Sequence, residues 1–278
     1  MNSMYVKDKL KSISKERNID FNILLRLYMY DRFIERLALS EYKDKFILKG
    51  GFYLSVLFGL ESRTTKDIDT AIKDANFTVE NIESMIRNII KIDIDDNAKI
   101  EFVNISKIRE VDEYGGFRIT LNVKIDTIRE NFQLDVATGD PITPCPYEYE
   151  YMPILGDSYI KVWTYNIETM IAEKLETILK RVEANGRTRD YYDLYLIYIK
   201  GWDKVNIHDL RNAINKTFSK RKYKGDIFET INILRNSSIL RKRWELYSKK
   251  YEYAKGITYD EVVACIEEII SVLDFTLV

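Results

Sequence analysis

The sequence of 278 residues predicts an α+β protein, with a mixed sheet carrying helices in its first half and a helical second half. Three observations lead there. An amphipathic pattern over 20–40 leads to an apolar segment that runs into a glycine pair. Residues 99–106, 116–126 and 131–137 alternate apolar and polar side chains with the period of two that strands require. From 166 onward, three- and four-residue apolar spacing dominates. The expected division is a sheet-bearing domain with an N-terminal helix over 1–155 and a helical domain over 156–278.

Each element has its own signal. Phe21, Leu24, Leu25, Tyr28, Phe33 and Leu37 recur at helical intervals after Asp20, whose carboxylate suits an N-cap. The FIL segment of 46–48 reads as a strand that turns at Gly50-Gly51 into a short helix, FYLSVLFG. TTKDIDTAI follows as a short strand with Asp67 and Asp69 on one side and Ile68 on the other. A helix over 79–91, capped by Thr78 or Asn76, offers Ile82, Met85, Ile86 and Ile89 to the core. After the three alternating strands, Pro141, Pro144, Pro146 and Pro153 bracket YEYEY and mark the boundary region, where a continuous helix is disfavoured. A strong helix over 166–183 follows, with Met170, Ile171, Leu175 and Ile178 inward; another restarts near Asp190. The last, over 260–273, turns Val262, Val263, Ile266 and Ile270 inward.

Composition narrows the class. With 46% hydrophobic residues, 11 Gly and 4 Pro, the chain is neither disordered nor collagenous, and it is long enough for a substantial core. Its 43 basic and 44 acidic side chains give a net charge of -1, but they are unevenly distributed, so nucleic acid is not excluded as a partner. Cys145 and Cys265 are the only cysteines, and Lys7, Asp8, Lys9 and Lys11 interrupt any secretory signal at the start. No apolar run is long enough for a bilayer, so the expectation is a soluble cytoplasmic protein without membrane contact. One histidine, His208, rules out a histidine-rich zinc site and suits a surface or capping role. Carboxylates, Lys and Arg are left to carry any chemistry, and these suit a hard metal ion and phosphate better than acyl transfer.

The central constellation is Gly50-Gly51, then Asp67-Ile68-Asp69, with Asp135 on a later strand. Two alternate carboxylates point to one side of a strand, and a third from a neighbouring strand could complete a cation site. Crowded carboxylates repel, and Mg²⁺ relieves that by accepting carboxylate and phosphate oxygens together. The glycine turn at a helix start can present backbone N–H groups to phosphate. The simpler reading stays open: a glycine turn, and an acidic pair on a wet strand face.

With these residues in view, the chain resembles the AbiEii and AbiGii nucleotidyltransferase toxins of bacterial abortive-infection systems, within the DNA polymerase beta superfamily. The resemblance runs in order through FILKGGFYLSVLFG, TTKDIDTAI, FQLDVATGDPITP, TMIAEKLETIL and RTRDYYDL, over roughly residues 20–200. It implies a polymerase-beta-like mixed sheet with flanking helices and a helical C-terminal domain contributing to the active site. It also implies Mg²⁺ as cofactor and a nucleoside triphosphate (NTP) as co-substrate. Gly50 and Gly51 would help position the nucleotide, Asp67 and Asp69 would bind metal, and Asp135 looks like the third acidic position. The superfamily often has Gly-Ser at the turn; Gly-Gly removes one hydroxyl but leaves the backbone cradle possible.

The same resemblance makes Lys174 a triphosphate contact and Asp190 an active-site residue that orients Lys174 or assists the acceptor hydroxyl, with Asp193 in support. Arg189 could pair with phosphate, Arg63, Thr64 and Thr65 could lean toward the nucleotide, and Arg187 could serve nucleic acid. A helical salt-bridge network is the plainer account of the Lys174 and Asp190 pattern. Residues 211–255 hold 13 Lys or Arg against four Asp or Glu, with KRKYK at 220–224 and RKRW at 241–244 beside aromatic rings that could stack on bases. The function implied is growth arrest in phage defence by transfer of a nucleoside monophosphate to RNA, with tRNA as first expectation. A separately encoded antitoxin would oppose it, with or without stable contact. Transfer to protein or a small molecule, or an inactive nucleotide-responsive binding protein, are the alternatives.

Overall fold

A computed structural model describes residues 3–108 and 115–273. The chain divides into two compact units, one comprising 1–139 and 147–164, the other 140–146 and 165–278.

The first unit is built on one mixed sheet. Its strands are β1 (Phe46–Lys49), β2 (Asp67–Ile72), β3 (Lys99–Ile108), β4 (Gly116–Ile125), β5 (Ile128–Ala137), β6 (Tyr147–Tyr151) and β7 (Ile160–Thr164). They lie in the order β3-β4-β5-β2-β1-β7-β6. β2 pairs antiparallel with β1 and parallel with β5, and β1 pairs parallel with β7. Four helices accompany the sheet: α1 (Ser3–Arg17), α2 (Phe21–Leu39), α3 (Gly50–Phe58) and α4 (Val79–Ile89). Asp20 caps α2 by accepting from the N–H groups of Asn22 and Ile23, and Thr78 caps α4. Leu24, Tyr28, Phe33 and Leu37 of α2 and Ile82, Met85, Ile86 and Ile89 of α4 are buried, as their spacing predicts. They join Ile68, Ile119, Leu121, Leu134 and Val136 in one core. The alternating partners of those strand residues, Asp67, Asp69, Arg118 and Asp135, are only half-buried. A tight two-residue turn at Asp126-Thr127, with Asp126 at φ 51°, joins β4 to β5 and fixes their register from Ile125↔Ile128 onward.

β6 falls where the sequence suggested only a proline-punctuated boundary, and β7 falls in the segment grouped with the helical half. The YEYEY segment has the two-residue alternation of a strand, and it pairs antiparallel with β7 as an edge. Residues 156–164 therefore belong to the sheet unit, not to the helical half with which the sequence grouped them.

The second unit is helical: α5 (Ile167–Arg181), α6 (Thr188–Gly201), α7 (Ile207–Lys220), α8 (Ile227–Asn236), α9 (Ser238–Lys250) and α10 (Tyr259–Ser271). Asn166, Asn206, Asp226, Ser237 and Thr258 cap five of them with side-chain oxygens. Met170, Ile171, Leu175 and Ile178 of α5 and Val262, Val263, Ile266 and Ile270 of α10 are buried. No helix among the described residues is long and apolar enough to cross a membrane.

Candidate active site

Register decides which side chains share a face. β2 and β5 run parallel with Asp69 opposite Asp135 and Asp67 opposite Gln133, so Asp67, Asp69 and Asp135 point to the same side of the sheet. The intervening Ile68 and Leu134 point into the core. The three-carboxylate face expected from sequence is therefore assembled by strand pairing alone. Lys49 of β1 is the other register partner of Asp69.

The glycine pair borders this face. Gly50 sits at φ +65°, in the left-handed region, and a Cβ there would overlap the Asp69 carboxylate. A Cβ on Gly51 would come within 2.8 Å of an Arg63 guanidinium nitrogen and 3.1 Å of Thr65 Oγ1. α3 begins at Gly50 with no side-chain cap from Lys49. The first N–H groups of a helix have no partner within it, and the Lys49 side chain supplies none, a setting that suits an anion.

Thr65 Oγ1 donates to Asp67 Oδ1 at 2.9 Å, so it orients the first carboxylate. Arg63 is 3% exposed and bonds the Thr64 carbonyl, which makes it a brace of the turn beneath Gly51. Asp135 is gripped by a residue that sequence reasoning missed. Arg118 of β4 donates from Nε to Oδ1 at 2.8 Å and from Nη2 to Oδ2 at 2.6 Å. The usable signal was the length of the β4–β5 turn. A two-residue turn at Asp126-Thr127 places Arg118 opposite Asp135, whereas strands read as 116–126 and 131–137 do not reveal that register. The fork holds the Arg118 pKa above the ordinary arginine value; burial opposes this, and the charges of Asp135, Asp67 and Asp69 reinforce it.

No three His, Cys, Asp or Glu side chains among the described residues are already gathered tightly enough to hold a metal ion. The donor set nonetheless fits Mg²⁺, which is commonly held by one or two carboxylates plus substrate phosphate oxygens and water. Asp67 and Asp69 supply hard oxygen donors on one face, beside the uncapped start of α3. A softer or more completely protein-caged ion has no counterpart in these residues.

In the helical unit, Lys174 of α5 reaches two carboxylates of α6, Asp190 Oδ1 at 2.9 Å and Asp193 Oδ2 at 2.6 Å. Asp193 is fully buried, while Lys174 and Asp190 each keep about a tenth of their side chains exposed. Burial alone would lower the Lys174 pKa, but the two carboxylates outweigh it and hold the ammonium charged above the usual lysine value. Asp190 and Asp193 both bond Lys174, and of the two only Asp190 keeps part of its side chain exposed. Arg187 and Arg189 are exposed at the start of α6.

The basic interval is less available than its charge suggests. Arg221 is held by Asp140 at 2.8 Å and Glu176 at 2.9 Å, Arg235 by Glu267 and Arg241 by Asp260. Arg243 bonds the carbonyls of Glu183 and Asn185. Lys224, Lys242, Lys249 and Lys250 are exposed, the last with its ammonium 5.5 Å from the Tyr251 ring. His208 is exposed and bonded to Asn212, in keeping with a surface role.

Comparison with known proteins follows the same direction. The family model described as "Nucleotidyl transferase AbiEii toxin, Type IV TA system" matches residues 32–265. Among solved structures, JHP933 from Helicobacter pylori is similar at 16% identity over 92% of this chain and 94% of that one, with a TM-score of 0.49. An antigenic nucleotidyltransferase-like protein from Paracoccidioides brasiliensis is 15% identical over 73% of this chain and 93% of that one, with a TM-score of 0.39. No significant match exists among curated proteins.

Proposed function

Since the chain belongs to the AbiEii nucleotidyltransferase toxin family of type IV toxin–antitoxin systems, we propose that it transfers a nucleoside monophosphate from an NTP to an RNA acceptor, tRNA first, using Mg²⁺. The enzyme class follows from the family; metal, acceptor and residue roles are the proposal. The observation that carries it is the shared face of Asp67, Asp69 and Asp135, bordered by the uncapped glycine start of α3.

In this reading Asp67 and Asp69 hold the divalent ion, which when bound supplies charge neutralisation for the phosphates. Thr65 keeps Asp67 turned toward the site. Backbone N–H groups at Gly50 and Gly51 receive phosphate oxygens, and Gly50 leaves room for the Asp69 carboxylate that a larger residue would displace. The acceptor hydroxyl oxygen forms a bond to the α-phosphorus as the α–β bridging bond breaks, and pyrophosphate departs with that electron pair. Asp135 accepts the hydroxyl proton and passes it to solvent. Lys174, kept charged by Asp190 and Asp193, is assigned to the triphosphate together with Arg189, and the exposed lysines near Tyr251 to the polynucleotide. Arg63 supports the turn beside Gly51 in this scheme and, with Thr65, is assigned to the nucleotide.

Action in the cytoplasm, growth arrest during phage infection and opposition by a separately encoded antitoxin complete the proposal; the family name itself implies an antitoxin. The test is to incubate the protein with each α-labelled NTP, Mg²⁺ and tRNA, total RNA or protein extract. Label is expected in tRNA and lost in Asp67→Asn and Asp69→Asn. Label in protein would reassign the acceptor, and nucleotide binding without transfer to any acceptor would overturn the transferase scheme.

A further inference from the structure

We infer that Arg118 is a positioning residue of this site: it fixes the plane of the Asp135 carboxylate and acts as a resident counter-charge against which a divalent cation must bind. The inference rests on the transferase reading above, and it concerns a side chain to which that reading gives no role.

The geometry is specific. Two N–H groups of one guanidinium meet the two oxygens of one carboxylate, at 2.8 and 2.6 Å. Such a fork leaves the carboxylate little rotational freedom, yet each oxygen retains a lone pair for a proton or a cation. Lysine at the same place would supply charge without the fixed plane. The backbone pre-aligns the pair, because Arg118 and Asp135 are register partners across the β4–β5 hairpin and need no reach from a flexible loop.

Charge gives the second half of the argument. Three carboxylates on one face repel one another, and Arg118 offsets one of those charges. The Arg118 side chain remains 40% exposed while Asp135 is 15% exposed, so the cation stands at the solvent side of the pair. Its Nη1 group takes no part in the fork. A divalent ion brought to Asp67 and Asp69 therefore meets a like charge. Between charges on neighbouring strands in a water-like dielectric, that repulsion changes affinity by on the order of tenfold. The consequence is unusual for a site residue, since removing Arg118 strengthens metal binding and weakens catalysis.

The test titrates Mn²⁺ alone into the full-length protein at low ionic strength, reading the free ion by electron paramagnetic resonance, with thermal melting as a folding control. Arg118→Gln is expected to bind Mn²⁺ about tenfold more tightly than wild type. Nucleotide transfer by the same variant should fall in kcat, with little change in the KM for NTP. Arg118→Lys, which keeps the charge and loses the fork, should keep wild-type Mn²⁺ affinity within about threefold while kcat falls. Unchanged or weaker Mn²⁺ binding by folded Arg118→Gln overturns the counter-charge role. A raised KM at unchanged kcat in Arg118→Lys overturns the positioning role, and this second variant decides the matter if the first does not fold. Asp67→Asn and Asp69→Asn separate the two levels. If they leave Mn²⁺ binding intact, the metal assignment itself fails; if they abolish it and Arg118→Gln gains nothing, only the inference fails.

Discussion

The Asp69 carboxylate fills the space that a Cβ on Gly50 would need, so the strand acid and the helix start are mutually constraining. Gly50→Ala must both adopt a left-handed backbone with a side chain and push the acid aside. It is expected to cost about 1–3 kcal/mol of folding stability by urea denaturation and to reduce transfer more than stability alone explains. Gly51→Ala meets the end of the Arg63 side chain instead of the acid, and its effect should be the smaller of the two.

Lys174→Ala leaves Asp193 buried without its ammonium partner, which predicts a loss of about 3–5 kcal/mol in unfolding experiments. The variant should also raise the KM for NTP in whatever fraction remains folded; normal kinetics across NTP concentrations would refute the phosphate assignment. Because the carboxylates hold the Lys174 pKa above the ordinary lysine value, this pair's contribution to stability should persist through pH 9 and fade only as pH rises through the folded-state pKa.

Asp31 predicts a loss in the same direction, with rising pH, but in a window that ends near neutrality. It is fully buried and accepts from the Tyr151 hydroxyl and, at 2.7 Å, from the Ile154 N–H. Burial pushes its carboxyl from 3.8 up to about 7 despite those bonds and the nearby Arg32 charge. A raised carboxyl pKa means that the folded state holds the proton more tightly than the unfolded chain. The stability it confers is therefore complete below about pH 4 and is lost as pH rises through about 7. Against Asp31→Asn, the wild type should lose of order 2–4 kcal/mol between pH 4 and 8, measured by denaturant titration at each pH.

Polynucleotide binding should respond to Lys249 and Lys250 and not to Arg221, although all three lie in the basic interval. Replacing both lysines by Gln should reduce the slope of log K against log salt for single-stranded RNA by about 1.4. Arg221→Gln should leave that slope alone and lower stability, since it leaves Asp140 and Glu176 without their shared cation.

Sequence periodicity gave access to the elements that bury a full stripe or alternate strictly. The α2, α4, α5 and α10 stripes and the strand–glycine–helix–strand run of β1, α3 and β2 all lie where the spacing predicts. β6 escaped because its alternating Tyr and Glu side chains sit on a sheet edge with little apolar contrast, between prolines that read as punctuation. Asp67, Asp69 and Asp135 were legible as acids of strand type, and their common face became certain only through the Asp69↔Asp135 register. Arg118 needed only the length of the β4–β5 turn, whereas Asp31 and the Arg221 clamp were illegible for one shared reason. Each depends on a partner distant in sequence, and residue spacing along a single chain carries no measure of which distant carboxylate an arginine will meet.

β2 has three strands on either side of it in the sheet. Its backbone is paired with β1 from Asp69 to Ile72 and with β5 from Asp67 to Ala71, so displacing Asp69 by fraying would require dismantling both ladders. Amide hydrogens of β2 should accordingly be among the slowest in the unit to exchange with deuterium, and an inhibitor would have to obstruct the preformed face, because local melting offers no inexpensive off state.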